Sequence, residues 1–164
     1  MTRSISIRLF RRSDLDRILQ IEYASFGKYA WDRNLFADFY HKCGELFLVA
    51  MKGRKVCGYI LTCIGGRPYC AAELVSLAVD PRYREKGVAS VLMDSTLRRL
   101  RRRGILRIHL MVKVTNQTAM RFYERYGFQR SRLVRAYYED GADGRRMEKL
   151  VAPAIGQRRR PPSP

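Results

Sequence analysis

Near its start the chain alternates apolar and polar residues. Ile5, Ile7 and Leu9 recur within residues 4–10, the period of a half-buried strand. Ser13 then offers a helix cap, and Leu15, Ile18, Leu19 and Glu22 follow at helical spacing. This predicts an amphipathic helix over 14–24 with Asp14 and Asp16 in its first turn. Asp32 can cap a second, shorter helix carrying Leu35, Phe36 and Phe39. Residues 46–51 and 55–64 read as two strands joined by a tight Lys52-Gly53-Arg54 turn, an antiparallel hairpin. Gly65-Gly66-Arg67-Pro68 breaks the chain, and 71–79 is a further apolar run of strand length closed by Asp80-Pro81.

From Gly87 onward, Ala89, Leu92, Met93, Thr96, Leu97 and Leu100 form one broad helical stripe that can pack on a sheet. Arg98, Arg99, Arg101, Arg102 and Arg103 fill its last turns, where cations complement the negative end of the helix dipole. A strand over 105–112, a helix over 116–126 ended by Gly127, and strands over 130–134 and 145–151 complete the order βααβββαβαββ. The expected fold is α/β, a mixed α+β sheet in which strands 71–79 and 105–112 run parallel around the long helix. Residues 1–151 are expected to form one domain. Residues 152–164, with Arg158, Arg159, Arg160 and four prolines, lack apolar periodicity and are expected to be a disordered basic tail.

With 46% hydrophobic and 29% charged residues over 164 positions, a real core is expected. No apolar run approaches a membrane span, and Arg3, Arg8, Arg11 and Arg12 interrupt the start, so a soluble cytoplasmic protein without membrane contact is expected. Cys43, Cys57, Cys63 and Cys70 contain no Cys-x-x-Cys pair and no export signal accompanies them, which predicts reduced, mostly buried thiols. Neither His41 nor His109 stands at zinc-site spacing from a cysteine, so no metal is expected. The formal charge of +18 suits an anionic partner such as nucleic acid, the ribosome surface or a phosphorylated cofactor, or reflects solvated arginine faces.

The informative stretch runs from Val79 to Ala89, a strand end, a loop and a helix start. Backbone N–H groups at such a start bind phosphate, small Gly87 and Ala89 admit an anion, and Arg84 and Lys86 add charge. The same residues would also make an ordinary strand-to-helix turn. Arg84-x-x-Gly87-x-Ala89 resembles the Q/R-x-x-G-x-G/A signature of the GNAT superfamily of acetyl-CoA-dependent N-acetyltransferases, and it follows Leu77-Ala78-Val79-Asp80-Pro81 as in that family. Downstream, Asn116-x-x-Ala119-x-x-Phe122-Tyr123-x-x-Tyr126-Gly127-Phe128 resembles a second family motif. The likeness is strongest to protein N-terminal acetyltransferases, the bacterial RimI type and the archaeal and eukaryotic catalytic subunits. Tyr137-Tyr138-Glu139-Asp140-Gly141-Ala142-Asp143-Gly144 is similar to their Y-Y-x-D-G-x-D-A stretch, with Gly144 in place of the usual Ala.

The resemblance implies direct transfer of acetyl from acetyl-CoA to an amine, above all the α-amine of a protein or peptide N-terminus, with a splayed parallel strand pair holding the donor. By resemblance, backbone groups of Leu77, Ala78 and Val79 pair with pantetheine, and Arg84, Glu85, Lys86, Gly87, Val88 and Ala89 bind the pyrophosphate, with Asn116 and Tyr123 completing the cofactor site. Phe26, Gly27, Lys28 and Tyr29, with Tyr137 and Tyr138, would contact the acceptor. Aromatic packing at a strand edge is the structural alternative for the two adjacent tyrosines. Contact with the ribosome is a further possible partnership.

Two proton transfers need residues. Tyr123 stands where the family commonly has the general acid; a thiol titrates near ~8.5 and a tyrosine near ~10, so donation is uphill by roughly one or two units. Its i+4 spacing from Ala119 equally suits a core aromatic. The position where N-terminal acetyltransferases often carry a Glu or His base holds Met111, which cannot accept a proton. Glu73, sharing strand parity with Val75, Leu77 and Val79, is the base candidate, and His109 the reserve; a surface carboxylate is the plain alternative for Glu73. At pH 7.4 roughly a quarter of α-amines but only about 0.1% of lysines are neutral, so a missing base is better tolerated with an N-terminal acceptor. The alternatives are a GNAT enzyme acting on a small amine or lysine side chain, and a non-catalytic basic module touching RNA or the ribosome.

Overall fold

The computed structural model describes residues 4–65 and 70–151. Its elements are β1 (Ile5–Leu9), α1 (Leu15–Phe26), α2 (Arg33–Cys43), β2 (Phe47–Lys52), β3 (Lys55–Gly65), β4 (Ala71–Val79), α3 (Val88–Arg102), β5 (Arg107–Lys113), α4 (Gln117–Arg125), β6 (Gln129–Val134) and β7 (Gly144–Leu150). The element order is the expected one. Most of the Gly65-Gly66-Arg67-Pro68 break and the 152–164 tail lie outside the described residues. One seven-stranded sheet runs β1-β2-β3-β4-β5-β7-β6, antiparallel except for the β4/β5 pair. The parallel pair is joined by α3, because neighbouring parallel strands need a crossover.

Two cores sandwich the sheet. On one face the stripe of α3 (Leu92, Met93, Leu97, Leu100) and Met120 and Tyr123 of α4 pack with Ala72, Leu74, Ile108, Leu110 and Val112. On the other, Ile18, Ile21 and Phe36 of α1 and α2 pack with Phe47, Val49, Tyr59 and Ala78. Asp32 caps α2 as expected, accepting from Leu35 N at 2.9 Å. Ser13 makes no cap for α1. Asp14 instead accepts from Arg11 N at 2.8 Å and from both terminal nitrogens of Arg8, since an ionised side chain meeting a guanidinium fork outcompetes a hydroxyl. The cysteines also depart from expectation. Cys43, at the end of α2, and Cys63 of β3 form a disulfide with Cα atoms 5.0 Å apart, while Cys57 is a buried thiol and Cys70 a half-buried one. The pairing spans 20 residues and depends on α2 descending onto β3, which no local spacing encodes.

Candidate active site

β4 and β5 pair only through Ala71↔Arg107 to Leu74↔Leu110, although β4 continues to Val79 and β5 to Lys113. Beyond Leu74 the two strands no longer pair, so the stretch Leu77, Ala78 and Val79 borders an opening where an extended ligand can hydrogen-bond as a third strand would. The parting coincides with a bulge: Leu61 pairs with Ser76 and Thr62 with Leu74, leaving Val75 as the extra residue. The bulge corrects the strand parity read from the sequence. Ala72 and Leu74 face α3 and α4, as do Leu77 and Val79, whereas Val75 and Ala78 face α1 and α2. Glu73 therefore shares a face with Val75 but not with Leu77 or Val79.

Past the end of β4 the backbone forms a concave cradle. Asp80 accepts from Arg82 N at 2.9 Å and shapes the turn Pro81–Tyr83. Glu85 and Gly87 then take left-handed conformations, φ 58° and 77°, a concave arrangement of N–H groups suited to anions. Gly87 caps α3 without a side chain, so the first-turn N–H groups of Val88, Ala89 and Ser90 are free of side-chain caps. A Cβ built on Gly87 would meet nothing within 4 Å, which leaves the approach open. The charged side chains turn back into the protein: Arg84 donates to Val79 O at 3.1 Å and Ser25 Oγ at 3.2 Å, and Lys86 to Arg82 O at 2.9 Å. The cradle is thus a backbone device that Arg84 and Lys86 brace. Across the opening, Asn116 caps α4 by accepting from Ala119 N at 3.1 Å.

Tyr123 of α4 is 8% exposed, edge-on to Phe128 at 5.6 Å. Burial, with a smaller contribution from nearby Tyr138, pushes its phenol well above the ordinary value. Tyr138 itself is raised to about 12, by burial first and then by Tyr137 and Asp140. On the α1/α2 face, the segment after α1 and the β6–β7 loop converge. Lys113 Nζ stands 5.0 Å from the Tyr29 ring centroid and 5.1 Å from that of Tyr138, and donates to Asp140 at 2.6 Å. Phe26 and Tyr137 are exposed, at 42% and 48%, so aromatic surface is left facing outward. Gly27 takes φ 57° at the end of α1, and Lys28 lies over the Tyr29 ring at 5.0 Å. Lys113 escaped sequence reasoning, although its parity with His109 and Met111 was a usable signal.

His109 pairs across the sheet with Glu73 on one side and Glu148 on the other. Burial and Arg146 lower its pKa, against the opposing pull of the two carboxylates. Glu73 is exposed, one residue short of the last β4/β5 pair. Sequence reasoning also missed a buried polar chain behind the bulge. Glu22 of α1, 1% exposed, accepts from Trp31 N at 3.0 Å and from the hydroxyl of fully buried Tyr59, which lies 2.9 Å from Ser76 Oγ. Burial raises the Glu22 carboxyl, and its hydrogen bonds from Tyr59 and Trp31 oppose that shift.

A parted parallel pair beside a helix start without a side-chain cap offers unpaired strand edge and free N–H groups side by side. Residues 14–128 match the acetyltransferase (GNAT) family, and the chain belongs to that family and is an N-acetyltransferase. It is 28% identical over 151 residues to an N-alpha-acetyltransferase of Saccharolobus solfataricus, covering 86% of this chain and 90% of that one. The crystal structure of Ard1 from Thermoplasma volcanium superposes with TM-score 0.86 at 30% identity, over 90% of this chain and 98% of that one. The ribosomal-protein-S18-alanine N-acetyltransferase of Escherichia coli superposes at 0.80 with 25% identity, over 94% and 98% of the chains.

Proposed function

We propose that this chain transfers acetyl from acetyl-CoA to the α-amine of a protein or peptide N-terminus. The observation that carries the reading is the convergence of Tyr29 and Tyr138 on Lys113, on the sheet face opposite α3 and α4. Donor and acceptor then enter from opposite faces and meet where β4 leaves β5. Exposed Phe26 and Tyr137 flank the acceptor entrance, which suits an extended peptide. The names of the relatives, an N-alpha-acetyltransferase and an S18-alanine N-acetyltransferase, support the same acceptor class. Acting on new N-termini places the enzyme in the cytoplasm, and the surplus of basic residues favours work near ribosomal RNA.

The thioester of acetyl-CoA supplies the activated acetyl group. Backbone groups of Leu77, Ala78 and Val79 hold its arm, and the cradle from Arg84 to Ala89, Glu85, Lys86, Gly87 and Val88 included, takes the pyrophosphate, with the Asn116-capped helix on the far side. Tyr123 hydrogen-bonds the departing sulfur. Its raised pKa keeps it protonated and makes full donation steeper than for a free phenol, so charge stabilisation of the thiolate in a dry site is its main contribution. Glu73 takes the acceptor proton through water, a base strong enough for an α-amine that is partly neutral at physiological pH.

The test is acetylation of paired peptides, one with a free N-terminus and one blocked but carrying an internal lysine, followed by intact mass and thiol release. Modification of the free N-terminus alone is expected. Modification of the lysine peptide alone, or of neither peptide while acetyl-CoA still binds, would move the acceptor to a lysine or small amine.

A further inference from the structure

The buried chain of Glu22, Tyr59 and Ser76 has a fixed direction. A carboxylate only accepts, so Tyr59 donates its single proton to Glu22 and its oxygen accepts from Ser76. Ser76 has then spent its only proton, and its oxygen is left able only to accept. Ser76 is the first residue after the Val75 bulge and pairs with Leu61 on the far side. It is half-buried, contacts a side chain of the α1/α2 core, and lies just past the last β4/β5 pair. An acceptor-only oxygen thus stands beside the point where β4 leaves β5. A buried carboxylate in this place is costly unless satisfied, and loop anchoring through Trp31 uses only one of its oxygens.

We propose that Ser76 Oγ accepts a hydrogen bond from the incoming α-amine and orients its lone pair toward the thioester, with Tyr59 and Glu22 as positioning residues that fix the polarity of the serine. The inference rests on the N-terminal acceptor reading. No proton changes owner in this step; the amine N–H is held until Glu73 removes the proton.

Glu22→Gln separates polarity from structure. Its Oε1 still accepts from Trp31 N–H, but its Nε2 must donate to Tyr59, so the chain reverses and Ser76 presents a proton to the amine. With a free-N-terminus peptide and saturating acetyl-CoA, Glu22→Gln and Ser76→Ala are each expected to lower kcat/KM about tenfold. Ser76→Thr, which keeps the hydroxyl, recovers most of what Ser76→Ala loses. The double variant is no worse than Ser76→Ala, because both changes remove one interaction. Acetyl-CoA affinity is expected to stay constant throughout. A Glu22→Gln rate within twofold of the parent, or a loss that adds in full to that of Ser76→Ala, overturns the proposal. Should Glu22→Gln fail to fold, the contrast of Ser76→Ala with Ser76→Thr decides alone, and equal rates overturn it. A parent enzyme that modifies no peptide N-terminus refutes the acceptor reading itself, and this proposal with it, before any variant is compared.

Discussion

The terminal methyl of Met111 covers Gly144: a Cβ built on the glycine would come within 2.7 Å of Met111 Cε and 3.0 Å of Tyr137 Cβ and Cγ. The two departures from the family pattern, methionine where a base is common and glycine where alanine is usual, therefore touch. A long apolar side chain on β5 fits only if β7 surrenders its methyl group.

Gly144→Ala is accordingly expected to cost about 1–2 kcal/mol by overpacking and, by displacing Tyr137, to raise the KM for peptide several-fold. Met111→Ala in the same chain should relieve both. Thermal unfolding and peptide kinetics of the four-member cycle measure the coupling; additive effects would mean that the contact is inconsequential.

Removing the Tyr123 hydroxyl as Tyr123→Phe is expected to lower kcat at least tenfold with little change in acetyl-CoA affinity. Stopped-flow thiol release and calorimetric binding read the two quantities. An unchanged kcat would reduce Tyr123 to a core aromatic.

Glu73→Gln should depress the rate most at low pH, where the acceptor amine is protonated and a base matters most. A pH–rate profile with a uniform loss would assign Glu73 to positioning instead.

Asp80 is held well below the usual carboxylate range, first by hydrogen bonds from Arg82, with Arg17 adding to them and burial opposing. Its lowered pKa gives stability that is present above the unfolded value near ~3.9 and lost as pH falls through the folded value. Asp80→Asn is therefore expected to cost about 1–2 kcal/mol at pH 7, a figure held down by the exposure of Arg82. The gap between variant and parent should narrow below about pH 4. Denaturant melts at pH 7 and pH 3 test the sign, and an equal deficit at both would point to packing rather than charge.

The bridge between Cys43 and Cys63 closes a loop across 20 residues, for which chain entropy predicts about 3 kcal/mol of stabilisation. Unfolding with and without reductant, with Cys43→Ser/Cys63→Ser as a control, should show that loss; a midpoint insensitive to reductant would show that the bridge does not form in solution.

Element order, the parallel pair and the glycine at the start of α3 were legible along the chain because they depend on local period, caps and glycine: Asp32 caps where it stands, and Gly87 and Gly127 adopt the left-handed conformations their positions require. What the tertiary structure alone decided lies across the sheet. The Val75 bulge inserts one residue and turns Leu77 away from Glu73, and alternation along a strand cannot register an insertion that exists only relative to a partner. Arg84 faces the strand end because Ser25 arrives from α1, Cys43 meets Cys63, and Glu22 reaches Ser76 through Tyr59. Each of these joins residues from separate elements, and their meeting is set by packing, not by spacing.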